Sequence, residues 1–185
     1  MHSKENFFIL TGGPGAGKST LLEALGQRGY DTVPEAGRII IQEQVKLKGN
    51  ALPWADTAAY SQRMLEKSIA DYQEFLTTTN TCFFDRGIPD VLGYVQLING
   101  PDTALYESAV AEFRYNTDVF ILPPWKDIYQ QDTERKQDFE TAVATYRQMV
   151  ETYTANGYTL IEVPHDVPTA RATFVLNHLY TLRTL

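Results

Sequence analysis

Five short strand-like runs, most of them apolar, punctuate the chain, and polar stretches with helical spacing separate them. Phe7-Phe8-Ile9-Leu10 is a run of strand length, and Ser19–Leu25 beyond it has helical spacing. Gly26 and Gly29 mark a helix stop, Tyr30–Val33 reads as a second strand, and Pro34 closes it. Glu35–Arg38 opens a helix that runs through Ile39, Ile40, Ile41 and Val45, and Lys46–Pro53 reads as loop. Asp56 or Thr57 can cap a long helix from Ala58 to about Leu76, with Tyr60, Met64, Leu65, Ile69, Tyr72 and Leu76 near helical spacing. Thr81–Asp85 is the third strand. Helices over Pro89–Ile98 and Thr103–Tyr115 follow, divided by Asn99-Gly100-Pro101. Asp118–Leu122 is the fourth strand, stopped by Pro123-Pro124. A polar stretch, Trp125–Asp132, leads to a helix capped by Asp132 or Thr133 and ending near Ala155. Tyr158–Val163 is the fifth strand, Pro164–Pro168 a loop, and Thr169–Leu182 a closing helix.

Strands that alternate with helices predict an α/β fold with a parallel sheet covered on both faces. Ligands of such folds bind beyond the carboxyl ends of the strands. The glycine-rich turn after the first strand, Glu35, Asp85, the Pro123-Pro124 turn and Pro164-His165 all follow strand ends, so one rim should collect them. The run has no repeat, low-complexity tract or linker, which predicts one domain over 1–185.

Gly12-Gly13-Pro14-Gly15-Ala16-Gly17-Lys18-Ser19 fits the phosphate-binding P-loop, and its strand–loop–helix setting is the one that motif requires. Glycines let successive N–H groups turn inward onto phosphate oxygens, and the following helix aims its positive end at the same anion. Lys18 supplies a mobile cation for the β- and γ-phosphates, the Ser19 hydroxyl is placed to ligate Mg²⁺, and Thr20 completes the nucleotide-binding set.

Composition narrows the partners. The 185 residues carry a formal net charge of −7, which argues against a general nucleic-acid binder. Cys82 is the single cysteine, so no intrachain disulfide forms, as suits a cytoplasmic protein, and a buried strand position is expected for it. No apolar run approaches the roughly 20 residues of a membrane span, and Phe7–Leu10 is too short for a signal-peptide core. His2, His165 and His178 lack the spacing of a zinc site.

The stretches TGGPGAGKST, VPEAGR at Val33–Arg38, FFDRGIPD at Phe83–Asp90 and TERKQDFE at Thr133–Glu140 resemble a small AAA-type family of P-loop ATPases or kinases. In plan the chain is also similar to ribosylnicotinamide and deoxynucleoside kinases. The resemblance implies a P-loop three-layer sandwich with a five-stranded sheet in the order 2-3-1-4-5 and a lid after the fourth strand. Asp85-Arg86-Gly87 replaces the tandem acids of a motor ATPase, no NKxD-like motif marks a GTPase switch, and the second helical domain of ring-forming machines is lacking.

Asp85 is expected to accept the proton of an attacking hydroxyl or to hold Mg²⁺ with Ser19, and Arg86 to pair with phosphate oxygens through its fork. Glu35 and Arg38, one helical turn apart, are expected at the acceptor, as are Gln62 and Arg63 on the long helix. Tyr60 is assigned to the core, and His165 to loop structure. Among the lid cations Lys126, Arg135 and Lys136, Arg135 is the choice for the transferring phosphoryl group. Together these residues describe an ATP- and Mg²⁺-dependent phosphotransferase acting on a small hydroxyl-bearing metabolite, with a nucleoside among the candidates. The rivals are a plain ATPase and a regulatory nucleotide-binding module that controls a protein partner.

Overall fold

A computed structural model describes residues 2–100, 102–129 and 138–182. The elements in chain order are β1 (His2–Ser3), β2 (Phe7–Gly12), α1 (Lys18–Gly26), β3 (Asp31–Val33), α2 (Ala36–Leu47), α3 (Thr57–Glu74), β4 (Cys82–Asp85), α4 (Ile88–Leu97), α5 (Ala104–Glu112), β5 (Phe113–Arg114), β6 (Asp118–Leu122), α6 (Phe139–Ala155), β7 (Thr159–Glu162) and α7 (Pro168–Leu182).

The main sheet runs β3-β4-β2-β6-β7, all pairs parallel. Numbered by the five apolar runs, that order is 2-3-1-4-5, as expected. Pairing of Leu10 with both Asp85 and Phe120, and of Gly12 with Leu122, brings the carboxyl ends of β4, β2 and β6 to one rim. The period of two along each strand then divides the core. Phe7, Ile9, Cys82, Phe84, Val119 and Ile121 pack on one face against α3, α4 and α6. Phe8, Leu10, Phe83, Phe120 and Leu122 pack on the other against α1 and α7. Both faces are therefore apolar, as a sheet covered by helices on two sides requires. Cys82 is wholly buried, and burial with nearby Asp31 pushes its thiol up to about 12. No helix among the described residues is long and apolar enough to cross a membrane.

Local chemistry sets the element ends. Asp56 caps α3 by accepting from the Ala59 N–H at 2.9 Å. Asp138 caps α6 in the same way through Thr141, so the described helix begins at Phe139; Asp132 and Thr133, named as its caps, lie outside the described residues. The helix expected through Tyr115 ends at Glu112, because Phe113 and Arg114 pair in parallel with His2 and Ser3. That small second sheet joins segments more than a hundred residues apart, which local periodicity does not register.

Candidate functional site

The P-loop joins β2 to α1 and lies on the rim. Gly12, Gly15 and Gly17 take φ of +126°, +76° and +85°, conformations that favour glycine. Gly13 is needed for another reason: a Cβ there would sit 2.3 Å from the Ala142 carbonyl oxygen in the first turn of α6. The Lys18 amine donates to the carbonyls of Gly13 at 2.9 Å and Gly12 at 3.3 Å. Burial lowers its pKa to about 8, and Arg86 adds to the effect, while Asp85, Glu35 and Asp90 oppose it. Thr20 closes the first turn by donating to the Gly17 carbonyl at 3.0 Å.

Asp85 ends β4 beside this loop. Its Oδ2 accepts from the Ser19 hydroxyl at 3.3 Å, and its Oδ1 is buried with no hydrogen-bond partner. Burial raises the carboxyl to about 6; Lys18, Arg86 and the Ser19 bond pull it down, and Glu35 pushes it up. A hydroxyl oxygen and a carboxylate oxygen lacking a partner suit Mg²⁺, which takes hard oxygen ligands and commonly only one or two from protein. Among the described residues no cluster of three or more His, Cys, Asp or Glu side chains could hold a metal. The donor atoms of Ser19 and Asp85 are of the kind such an ion takes.

Arg86 turns the chain from β4 into α4 with φ +70°, a left-handed conformation uncommon outside glycine. Its Nε donates to Glu35 Oε1 at 3.1 Å and its Nη1 to Asp90 Oδ1 at 3.2 Å. Burial alone would lower the guanidinium pKa, but Glu35, Asp90 and Asp85 outweigh it and hold it above the usual value. Asp90, 4 % exposed, is a junction. It also accepts from the Thr11 hydroxyl at 2.5 Å, from the Gly87 N–H at 2.8 Å and from the Tyr153 hydroxyl at 2.5 Å. One carboxylate therefore fixes Arg86 to the strand leading into the P-loop and to α6.

From Pro14 and Lys18 a cavity of about 720 Å³ extends away past Glu35, Arg38, Asp85 and Arg86. Its far walls are largely apolar, with Met64, Phe84, Val91, Tyr94 and Met149 among them. Helix α3 turns Tyr60, Met64, Ser68 and Asp71 toward it. Gln62 and Arg63, expected at the acceptor, are exposed and do not line the cavity; Gln62 bonds Glu66 on the outer side of the helix. Tyr60, assigned to the core, is buried and lines the cavity as well. Arg135 and Lys136 lie outside the described residues. Lys126 is exposed in a short 3-10 turn, Lys126–Ile128, and is not among the lining residues.

That turn belongs to a segment that lies over the P-loop. The Tyr129 ring sits against Gly15, Ile128 lies near Gly17, and Trp125 stacks on His165 with ring centroids 4.7 Å apart and planes within 5°. Asp90 and Tyr153 were not among the sequence candidates. The clue to Asp90 was its place at the end of FFDRGIPD, four residues after Arg86, the spacing of neighbours on a helix. Nothing local points to Tyr153.

A family profile described as "AAA domain" matches residues 7–171. A search of curated proteins finds no match. Among solved structures, the chain is similar to deoxyadenosine kinase from M. mycoides with products dCMP and dCDP bound, at 15% identity and a TM-score of 0.64, over 95% of this chain and 99% of that one. It is similar to NadR protein in complex with NR, at 13% identity and a TM-score of 0.72, over 95% of this chain and 50% of that one. It is also similar to thymidylate kinase from Ehrlichia chaffeensis, at 16% identity and a TM-score of 0.61, over 97% and 100%. At these identities the likeness shows a shared fold, that of P-loop nucleoside and nucleotide kinases.

Proposed function

The chain belongs to this AAA domain family, and from that premise we propose that it is a single-domain kinase that phosphorylates a small hydroxyl-bearing acceptor. The donor is a nucleoside triphosphate with Mg²⁺, and the family resemblance implies ATP. The observation that carries the reading is the 720 Å³ cavity continuous with the P-loop, which gives an organic acceptor room beyond the phosphates. The named solved structures support it through their fold, and the molecules bound in two of them, dCMP with dCDP and NR, make a nucleoside-like substrate the first class to examine.

Lys18 leaves the carbonyls of Gly12 and Gly13 and neutralises the β- and γ-phosphates, a better partner for a buried ammonium than two neutral oxygens. Ser19 and Asp85 would hold the metal, which when bound would neutralise phosphate charge and orient the phosphoryl group. Glu35 lines the cavity with one oxygen on Arg86, and it accepts the proton of the acceptor hydroxyl or orients it. Arg86, clamped by Glu35 and Asp90, keeps a fixed positive charge beside the reacting phosphoryl group, where charge stabilisation acts mainly in the transition state. Arg38 binds the acceptor beside Glu35.

Incubating the protein with Mg²⁺, ATP or GTP and a metabolite extract, followed by mass spectrometry, tests this reading. A phosphorylated small molecule that forms only with active protein is the expected result. Nucleoside diphosphate and free phosphate without any phosphorylated metabolite would point to hydrolysis and refute it.

A further inference from the structure

Arg171 lies in the first turn of α7 and reaches back to the P-loop. Its side chain is 2 % exposed, and it is among the largest fully buried side chains. Nη1 donates to the Ala16 carbonyl at 3.0 Å, while Nε and Nη2 are buried with no hydrogen-bond partner. Nε–H and one Nη2–H lie on the same edge of a guanidinium and point the same way. The unused part of Arg171 is therefore a parallel two-donor fork. Buried donors are seldom left unpaired, since each lost bond to water goes uncompensated.

The surroundings narrow what the fork is for. Its guanidinium lies 5.7 Å from the centroid of the Trp125 ring, which stacks flat on His165. Trp125 follows β6 and His165 follows β7, so both stand at the rim that carries the P-loop. A flat aromatic pair, a two-donor fork and the P-loop backbone thus meet in one place. Phosphate is a poor match for the fork. Arg171 is tied to a loop carbonyl, whereas phosphates are cradled by the N–H groups on the other side of such a loop.

We propose that Arg171 reads the base of the donor nucleotide and selects a 6-oxopurine, guanine or hypoxanthine, over adenine. O6 and N7 of these bases are two adjacent acceptors, the edge that arginine binds bidentately. Adenine carries an amino group in place of O6, which sets donor against donor. The selection rests on the nucleotide-binding reading of the P-loop, is independent of the acceptor, and puts a 6-oxopurine nucleotide in place of the ATP that the family resemblance implies. Because the fork is covered, Trp125 shifts to admit the base.

Calorimetric titration with GDP, IDP, 7-deaza-GDP and ADP, each with Mg²⁺, tests the proposal without turnover. GDP and IDP should bind ten- to a hundredfold more tightly than ADP, the discrimination a bidentate arginine gives against a wrong base. 7-Deaza-GDP, which lacks N7, should bind more weakly than GDP. Arg171→Lys should weaken GDP and IDP at least tenfold more than it weakens ADP. ADP binding as tightly as GDP would overturn the proposal. So would equal weakening of all four ligands in Arg171→Lys, the mark of a prop beneath the loop. If no nucleotide binds, the P-loop reading fails and this selection with it. The wild-type series decides the matter even if the variant fails to fold, which its melting curve will show.

Discussion

Replacing Lys18 by Met is expected to make the ligand-free protein more stable at neutral pH while abolishing nucleotide binding. Burial holds the Lys18 amine at about 8, against the ordinary lysine value of 10.5. That difference means the folded state carries about 3 kcal/mol of destabilisation while the amine is charged. Methionine has a similar length and no charge, so it removes this cost. It also leaves the Gly12 and Gly13 carbonyls without their donor, which takes back about 1 kcal/mol per bond. The net gain is about 1 kcal/mol, or a melting temperature higher by roughly 2–4 °C for a chain of this size. The sign has a second consequence. Between pH 8 and 10.5 the unfolded chain holds more protons at Lys18 than the folded one, so wild-type stability rises with pH across that window. The Met variant lacks this rise, and the order of stability should reverse as the window is crossed. Urea unfolding of both proteins from pH 7 to 10 measures it, since the tyrosines are common to both and cancel in the difference. At a hundredfold excess over its Kd, Mg²⁺-nucleotide should add about 2.7 kcal/mol to the wild type and nothing to the variant. A Met variant that is less stable at pH 7, by an amount that does not change with pH, would refute the reasoning.

Asp85→Asn keeps the shape of the side chain but removes the charge that would hold Mg²⁺ with Ser19, and single-turnover phosphoryl transfer at fixed Mg²⁺ should slow about a hundredfold or more. A normal rate in a merely destabilised protein would make Asp85 structural. Asp90→Asn should cost about 3 kcal/mol or more in urea unfolding, because Arg86 keeps its buried charge and loses one of two acid partners; a loss under 1 kcal/mol would show that Asp90 is not the junction described. Gly13→Ala places a methyl against the Ala142 backbone and should lower stability by about 1–3 kcal/mol. Gly26→Ala, whose new methyl would meet only ordinary contacts with Thr32, should not lower it and serves as the control.

Much of this fold is written locally. The five strand-like runs became the five strands of the main sheet; a central strand buried on both faces is apolar along its length, as Phe7–Leu10 shows, while β3 and β7 at the edges are partly exposed and carry polar residues. Asp85 and Arg86 were legible because the third run ends in them, and the end of such a strand is where an α/β fold places its ligands. What escaped depends on contacts between distant segments. The junction at Asp90 draws its donors from Thr11, Gly87, Arg86 and Tyr153, and no periodicity links the first of these to the last. The end of α5 is set by pairing with the N-terminus. Gln62 and Arg63 fell on the right helix and the wrong side of it, since the apolar stripe marks the buried face and does not say which part of that face borders the cavity. Arg171 stood in an ordinary helical pattern, and only its burial against Ala16 sets it apart.

The burial of Cys82 turns the chain into its own recorder of transient opening. A thiol held at about 12 in the middle of the sheet is closed to alkylating or disulfide reagents until β4 comes away from its neighbours. With no second cysteine in the chain, every labelled molecule reports that one event. Where reclosing outpaces the reagent, the labelling rate gives the free energy of opening directly. Asp85 lies three residues further along the same strand, so the opening that exposes the thiol also separates Asp85 from Ser19. The slowing of Cys82 labelling by nucleotide and Mg²⁺ would then measure, in one number, how firmly the ligand clamps the centre of the sheet.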